Sequence, residues 1–207
     1  MSIKHLSPED IVKSFIDTFD KHVFESRIER HPIGPKKTDM VHIWMKIDKS
    51  IIRPVVQHLM TLEKYPHFAV ASGYDLGEYI EVVYHFTIYF GERGKELLLN
   101  FTIPISKKDP TIDSICDFIP GALISEQEKQ EMLGIRVKNI PKDARVFVSD
   151  DFPEDMYPWR RDEKGPLPMV RNLHDSSSSP PLSQGKKTSS DKADSEKNDE
   201  ANKGGKQ

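Results

Sequence analysis

Two stretches of alternating apolar residues constrain the fold of this chain more than any other feature. In residues 79–90 the apolar side chains occupy every second position, and they do so again in residues 97–105 after a glycine-bounded turn. They are Ile80, Val82, Tyr84, Phe86, Ile88 and Phe90 in the first stretch, and Leu97, Leu99, Phe101, Ile103 and Ile105 in the second. A period of two places them on one face of a strand, so the pattern predicts an antiparallel hairpin packed on a core.

The surrounding sequence predicts further strands and several helices. In residues 40–47 the apolar side chains alternate with His42, Trp44 and Lys46, which indicates a third strand, and weaker patterns indicate strands at residues 23–28 and 68–72. Residues 31–35 are typical of a loop because of their prolines and glycine. Helices are expected after Ser7-Pro8, from about residue 50 to 62, and at residues 111–118 and 125–133.

This order of elements predicts an α+β domain. Its helices would lie on one face of a mainly antiparallel sheet over residues 1–148. An extended strap, suited to binding a partner, is expected at residues 149–173. Residues 174–207 are rich in Ser, Lys, Asp and Glu, and we expect them to form a disordered polar tail.

Composition excludes several classes of function. The 30 basic residues are balanced by 33 acidic ones, which gives no general attraction to nucleic acid. Cys116 is the single cysteine, so the chain cannot form an internal disulfide or a cysteine-rich metal site, and a reducing cytoplasm is expected. No stretch approaches the roughly 20 apolar residues that span a bilayer, so we expect membrane association only through partner subunits.

The sequence offers few candidates for catalysis. It has no glycine-rich phosphate loop between a strand and a helix, no nucleophile elbow and no paired histidines at zinc-helix spacing. Cys116 lies among apolar and acidic neighbours, which favours a small core residue over a reactive thiolate. A cluster of four acidic residues could bind a hard cation or pair with the nearby arginines. Its members are Asp150, Asp151, Glu154 and Asp155.

The segment from residue 150 to 163 combines acids, prolines, aromatic residues and a double arginine. Phe152, Tyr157, Trp159, Arg160 and Arg161 are of the types that dominate interface energetics, and prolines reduce the entropy lost on docking. The segment is therefore predicted to bind a partner. The alternative is that it folds back on its own domain.

Three motifs resemble those of the 30-kDa subunit family of respiratory complex I. Residues 126–135 resemble its Glu-Arg-Glu…Asp-Met-Phe-Gly-Ile signature, residues 145–153 its Arg-Leu-Leu-Leu-Pro-Asp-Asp-Trp-Pro run, and residues 157–162 its Tyr-Pro-Leu-Arg-Lys-Asp ending. The chain departs from these motifs at Gln127, Glu131, Ser149, Phe152 and Arg161, mostly with residues of similar character. It looks closest to the equivalent subunit of archaeal membrane-bound hydrogenase and sulfane reductase complexes.

The resemblance implies a non-catalytic subunit that binds no cofactor. Iron–sulfur clusters and, in a hydrogenase-type complex, a nickel–iron centre would belong to its partners: a catalytic large subunit and a small iron–sulfur subunit. The chain would clamp these on the cytoplasmic side of the cell membrane, as a peripheral subunit of an ion-translocating oxidoreductase. The family signature falls on Glu126, Glu128, Gly134 and Ile135. The expected partner contacts are Asp150, Asp151, Phe152, Tyr157, Trp159, Arg160, Arg161 and Asp162.

Three alternatives stay open at the level of sequence. The chain could be the corresponding subunit of an NAD(P)H- or ferredoxin-dependent quinone oxidoreductase. It could also be a free-standing adaptor, or a small enzyme that uses an acid pair such as Asp151 and Glu154.

Overall fold

The structure, a computed structural model, describes residues 5–35, 37–92, 94–142 and 144–166. These residues form three α-helices: α1 (Pro8–Phe19), α2 (Ile52–Leu62) and α3 (Leu123–Leu133). They also form seven strands: β1 (Val23–Ile33), β2 (Thr38–Ile47), β3 (His67–Asp75), β4 (Tyr79–Ile88), β5 (Leu97–Ser106), β6 (Thr111–Asp113) and β7 (Arg136–Lys138). The predicted strap lies within the described residues as far as residue 166, and the predicted tail lies outside them.

Five strands form one sheet in the order β1-β2-β5-β4-β3. The predicted hairpin is confirmed, because β4 and β5 pair antiparallel with Ile88 opposite Leu97. β2 lies parallel to β5, with Val41 opposite Leu97, while the other pairs of this sheet are antiparallel. β6 and β7 form a separate parallel pair. The predicted α+β class with a mainly antiparallel sheet is therefore confirmed.

One face of the sheet carries the hydrophobic core. The alternating residues predicted for β2, β4 and β5 are buried there, apart from Phe90. Helix α1 adds Ile11 and Phe15, whose ring centroid lies 5.4 Å from that of Phe101. Its start is fixed as predicted, because the side chain of Ser7 accepts a hydrogen bond from the backbone N–H of Asp10. Among the helices described, none combines the length and the apolarity that crossing a bilayer requires.

The predicted loop at residues 31–35 is partly wrong, because His31 to Ile33 continue β1. Pro32 lies opposite Asp39 in β2. Proline has no N–H to donate to a ladder, but β1 is an edge strand with no neighbour on its other side. The edge position therefore tolerates a residue that would disrupt a central strand.

The predicted helix at residues 111–118 is wrong. Thr111–Asp113 is strand β6, paired parallel with β7, and the residues after it turn toward α3. Apolar side chains at Ile112, Ile115 and Phe118 have helical spacing, but a partner strand distant in sequence decides the outcome.

The alternating apolar face of β4 ends at Ile88, one apolar position before the predicted end at Phe90. Tyr89 has a φ of 57°, which breaks the alternation, so its ring is buried and Phe90 is 63% exposed. Phe90 instead stacks on the ring of His67 at 4.1 Å between centroids.

Candidate functional site

The residues that carry the sequence signature meet in one substructure, which we call the clasp: helix α3 with Gly134, and the segment of residues 144–166 that folds against it. Successive turns of α3 present a polar side chain or a free carbonyl to that segment. Hydrogen bonds to these groups hold the segment against the helix.

Glu126 anchors the first turns of α3 to the core. Its carboxylate is buried and accepts hydrogen bonds from the Ser114 hydroxyl at 2.6 Å and the Ile115 N–H at 2.9 Å. The thiol of Cys116 and the hydroxyl of Tyr84 also donate to it, at 3.2 and 3.4 Å. A buried carboxylate is tolerated only with such donors, so this signature residue fixes α3 against β4 and the loop after β6.

Gln127 and Glu131, where the sequence departs from the family motif, both bind the backbone of the following segment. The Gln127 amide donates to the carbonyl of Lys142 at 2.9 Å and to that of Ala144 at 3.4 Å. The Glu131 carboxylate accepts from three consecutive backbone N–H groups, those of residues 146–148, at 2.7, 2.8 and 2.9 Å. The substituted residues therefore keep a role in holding the chain.

The end of α3 is capped by the segment of residues 157–160. Gly134 ends the helix in the left-handed conformation, with a φ of 69°. A Cβ at this position would lie 2.4 Å from the ring of Tyr157, so only glycine lets that ring pack here. The Trp159 N–H donates to the carbonyl of Met132 at 2.9 Å, and the Arg160 guanidinium to that of Leu133 at 3.2 Å. These bonds satisfy carbonyls that a helix end leaves unpaired.

An ion network closes the clasp against β3 and the end of β5. The Arg160 guanidinium, only 7% exposed as a residue, contacts Asp162 at 2.5 Å. Lys107 bridges Asp162 and Asp75 at 2.7 Å to each. Asp75 also accepts from the Arg161 N–H at 2.8 Å.

The network fixes the protonation of its members. The Arg160 guanidinium beside Asp162 holds the pKa of that carboxyl far below its usual range. Burial would raise the pKa of Asp75, but hydrogen bonds from the Arg161 N–H and Lys107 bring it below its usual value. Burial alone would lower the pKa of Lys107, and bonds to Asp162 and Asp75 raise it instead. All three groups are thus charged at neutral pH.

Asp162→Asn should lower the free energy of unfolding at neutral pH by about 3 kcal/mol, because it leaves Arg160 and Lys107 with less opposite charge. The pKa values of the Asp75 and Asp162 carboxyls are lower in the folded than in the unfolded chain, so these groups stabilise the fold at pH values above their unfolded pKa. This stability is lost as the pH falls through about 5 toward the folded pKa values. Urea unfolding from acid to neutral pH should show a shallower acid slope for the variant. The exposed Asp39→Asn is the control, and an unchanged slope in Asp162→Asn would contradict the network.

The predicted site residues thus divide into two groups. Tyr157, Arg160 and Asp162 make the contacts that hold the clasp together, the signature residues Glu126 and Gly134 likewise contact other parts of the chain, and Ile135 is buried in the core. Arg160 was expected to pair with a carboxylate of a partner, but the structure matches its charge within the chain. Asp150, Asp151, Trp159 and Arg161 are exposed, Phe152 is half-buried, and Glu128 pairs with Lys129.

Sequence reasoning missed Asp75 and Lys107. Asp75 contacts Arg161, which is 86 positions away, and no local pattern marks such a pair. The only local signal is an acidic residue at the end of an apolar strand, followed by Gly77.

The geometry offers no support for catalysis by these residues. Burial raises the pKa of the Cys116 thiol to about 11, which keeps it protonated at neutral pH. A hydrogen bond from the Ser149 side chain lowers the pKa of Asp151, opposite to the shift a general acid needs. In the described part of the chain, no three His, Cys, Asp or Glu side chains are grouped to hold a metal ion.

Exposed apolar side chains surround a cleft beside the clasp, which we call the tryptophan cleft. Its walls include Tyr74, Leu76, Trp159 and Arg161. Tyr74 is 52% exposed and Trp159 is 42% exposed. Such a patch of aromatic, aliphatic and arginine side chains is typical of a protein–protein contact.

Comparison with known proteins extends this picture. The family model for the 30 Kd subunit of respiratory-chain NADH dehydrogenase matches residues 45–167, which include the whole clasp. Membrane-bound hydrogenase subunit beta of Pyrococcus furiosus is 31% identical over 132 residues, which are 63% of this chain and 75% of that protein. An NADH-quinone oxidoreductase subunit of Chloroherpeton thalassium is 32% identical over 102 residues, which are 49% of this chain and 40% of that protein.

Solved structures share the fold at low sequence identity. A chain of the membrane-bound sulfane sulfur reductase, an archaeal respiratory membrane complex, is similar with a TM-score of 0.58 and 17% identity, covering 84% of this chain and 98% of that one. A trypsin-resistant fragment of Nqo5 matches with a TM-score of 0.50 and 17% identity, covering 66% of this chain and 99% of the fragment.

Proposed function

Because the chain belongs to the family of the 30-kDa subunit of respiratory-chain NADH dehydrogenase, we propose that it is a non-catalytic structural subunit of a membrane-bound, ion-translocating oxidoreductase of the hydrogenase type. It would clamp a catalytic large subunit and a small iron–sulfur subunit, which hold the iron–sulfur clusters. It would lie on the cytoplasmic side of the membrane and reach the membrane through those partners.

The clasp is the observation that carries this proposal. The Glu131 carboxylate binds the backbone of residues 146–148, the Tyr157 ring packs on Gly134, and Arg160 donates to the Leu133 carbonyl, so the signature motifs together build one rigid substructure. The same arrangement leaves Trp159 and Arg161 facing outward beside Tyr74. A rigid surface with aromatic and arginine anchors loses little entropy on docking, which is what a structural subunit needs.

A second candidate is the corresponding subunit of a quinone oxidoreductase. The similarity to the NADH-quinone oxidoreductase subunit of Chloroherpeton thalassium supports it with 32% identity, although over 102 residues, against 132 residues at 31% for the hydrogenase subunit. Both candidates use the same surface, and they differ in the large subunit that would be bound.

The test is affinity purification of the tagged chain from its native cells in mild detergent, with identification of what accompanies it. A hydrogenase-type large subunit and a small iron–sulfur subunit, together with membrane subunits, are expected. Quinone-reductase partners would favour the second candidate, and a chain that purifies alone would overturn both.

Trp159→Ala/Arg161→Ala should lower recovery of the large subunit about tenfold or more, since truncation of central interface residues costs about 2 kcal/mol or more. Neither side chain takes part in the ion network, so the free chain should unfold at nearly the wild-type temperature. The matched control is Lys64→Ala/Tyr65→Ala, which also removes one exposed cationic and one exposed aromatic side chain. Full recovery with the Trp159/Arg161 variant would show that the tryptophan cleft is not the contact.

A further inference from the structure

Glu131 holds an exposed apolar loop in a fixed conformation. Its two carboxylate oxygens accept the N–H groups of Val146, Phe147 and Val148, which are consecutive in the chain. A carboxylate bound by three backbone donors fixes the path of the chain through these residues. The donors belong to a segment outside any helix or strand, so no ladder bonds could hold it instead.

Arg145 holds the later part of the same loop. Its guanidinium donates to the carbonyls of Ser149 at 3.1 Å and Phe152 at 3.2 Å. The Phe152 N–H also donates to the Ser149 carbonyl at 3.0 Å. The backbone between residues 145 and 152 is therefore held by the side chains of Glu131 and Arg145.

The side chains displayed by this rigid backbone are apolar and face solvent. Val146 is 52% exposed and Phe147 is 43% exposed. Most exposed apolar residues need no explanation, but two neighbours held in place by a three-donor carboxylate form a pre-organised contact. Neither residue belongs to the hydrophobic core cluster.

Four acidic residues follow the apolar pair, and all are exposed. They are Asp150, Asp151, Glu154 and Asp155. Among the described residues none of them forms a salt bridge, whereas Asp75 and Asp162 are paired with Lys107 and Arg160. The charge of this stretch is left unmatched within the described chain, and a complementary surface would carry lysines or arginines.

We propose that residues 146–155, which we call the docking loop, bind an apolar pocket rimmed by lysine or arginine side chains on the catalytic large subunit of the same complex. This inference rests on the proposed function and names the chemistry of one of its contacts. Val146 and Phe147 enter the pocket, and the four carboxylates contact its rim. Glu131 is a positioning residue that keeps the loop in its docking conformation. The docking loop is a separate patch from the tryptophan cleft, since the two share no residue.

The test compares variants in the native complex during washes from about 0.05 to 0.5 M KCl, a range over which exposed ion pairs become screened. Val146→Ser/Phe147→Ser should lower retention of the large subunit about tenfold at low salt, corresponding to about 1.4 kcal/mol. The control, Phe24→Ser/Ile33→Ser, changes two exposed apolar residues of β1 and should keep wild-type retention.

Two further variants separate the role of the four carboxylates from that of Glu131. Replacing the four acids by their amides should weaken retention at low salt and flatten its dependence on KCl, without changing the free chain's unfolding temperature. Glu131→Gln should weaken retention while the salt dependence remains, because the rim contacts are kept.

The outcomes distinguish this inference from the proposed function. If the wild-type chain brings down no large subunit, both fail. If the wild type does so and Val146→Ser/Phe147→Ser is retained equally, the docking loop is wrong and the proposed function stands. Unchanged salt dependence in the amide variant would likewise overturn the basic rim.

Discussion

Glu126→Ala is expected to lower the free energy of unfolding by about 3 kcal/mol or more, since it leaves several buried donors without an acceptor. The Ile115 N–H, 2.9 Å from the carboxylate, loses its acceptor, and so does the Tyr84 hydroxyl. The cavity left by the side chain adds to the loss. Urea unfolding of the isolated chain, followed by circular dichroism, measures the change.

Two controls isolate the carboxylate of Glu126. Glu126→Gln keeps one carbonyl oxygen as an acceptor, so it should be destabilised by clearly less than the alanine variant. Glu78→Ala removes an exposed glutamate from the turn before β4 and should stay within about 0.5 kcal/mol of wild type. If Glu126→Ala unfolds at the same urea concentration as Glu78→Ala, the buried network does not stabilise the fold.

Gly134→Ala is expected to cost about 2–4 kcal/mol, from two separate causes. Alanine is strained at a φ of 69°, and its Cβ would collide with the Tyr157 ring. The collision forces either the ring or the end of α3 to move, and the bonds of Trp159 and Arg160 to the helix end weaken with it. Thermal or urea unfolding measures the loss.

Gly91 provides the matched control, because it also has a positive φ, of 86°, but no atom lies within 4 Å of a Cβ built there. Gly91→Ala should therefore show only the backbone cost, about 1–2 kcal/mol. In the Tyr157→Ala background, Gly134→Ala should fall to that same cost. Equal losses for the two glycine variants in the wild-type background would contradict the contact between Gly134 and Tyr157.

Much of the fold could be predicted because its central strands encode their burial locally. In β2, β4 and β5 each second residue is apolar, and these positions are buried as expected. The prediction failed where pairing depends on a distant segment. Thr111–Asp113 becomes a strand because Arg136–Lys138 lies beside it, and β1 runs on through Pro32 because it is an edge.

The prediction of the candidate site was likewise limited by contacts between residues distant in sequence. The signature residues could be found from sequence, since residues 126–135 and 145–162 resemble the motifs of the 30-kDa subunit family in order and spacing. The sequence could not say which way each side chain points. Arg160 and Arg161 are neighbours of the same type, yet one is buried in the ion network and the other is exposed. Arg160 pairs with Asp162 and lies 3.6 Å from Asp75, a residue outside the motifs.

The segment after α3 combines two roles that the sequence presented as alternatives. It was predicted to bind a partner, with folding back on its own domain as the other possibility. Tyr157, Arg160 and Asp162 hold the segment to α3, and this holding positions the exposed residues. Partner contacts are then expected at the docking loop and at the tryptophan cleft.

Native mass spectrometry of the detergent-solubilised complex, purified through a tag on this chain, tests the central claim most directly. We expect a single assembly in which one copy of the 23.8 kDa chain accompanies a catalytic large subunit and a small iron–sulfur subunit. Dissociation should release this chain without iron. A species at the mass of the chain alone, from cells in which the oxidoreductase is intact and active, would contradict its assignment as a structural subunit.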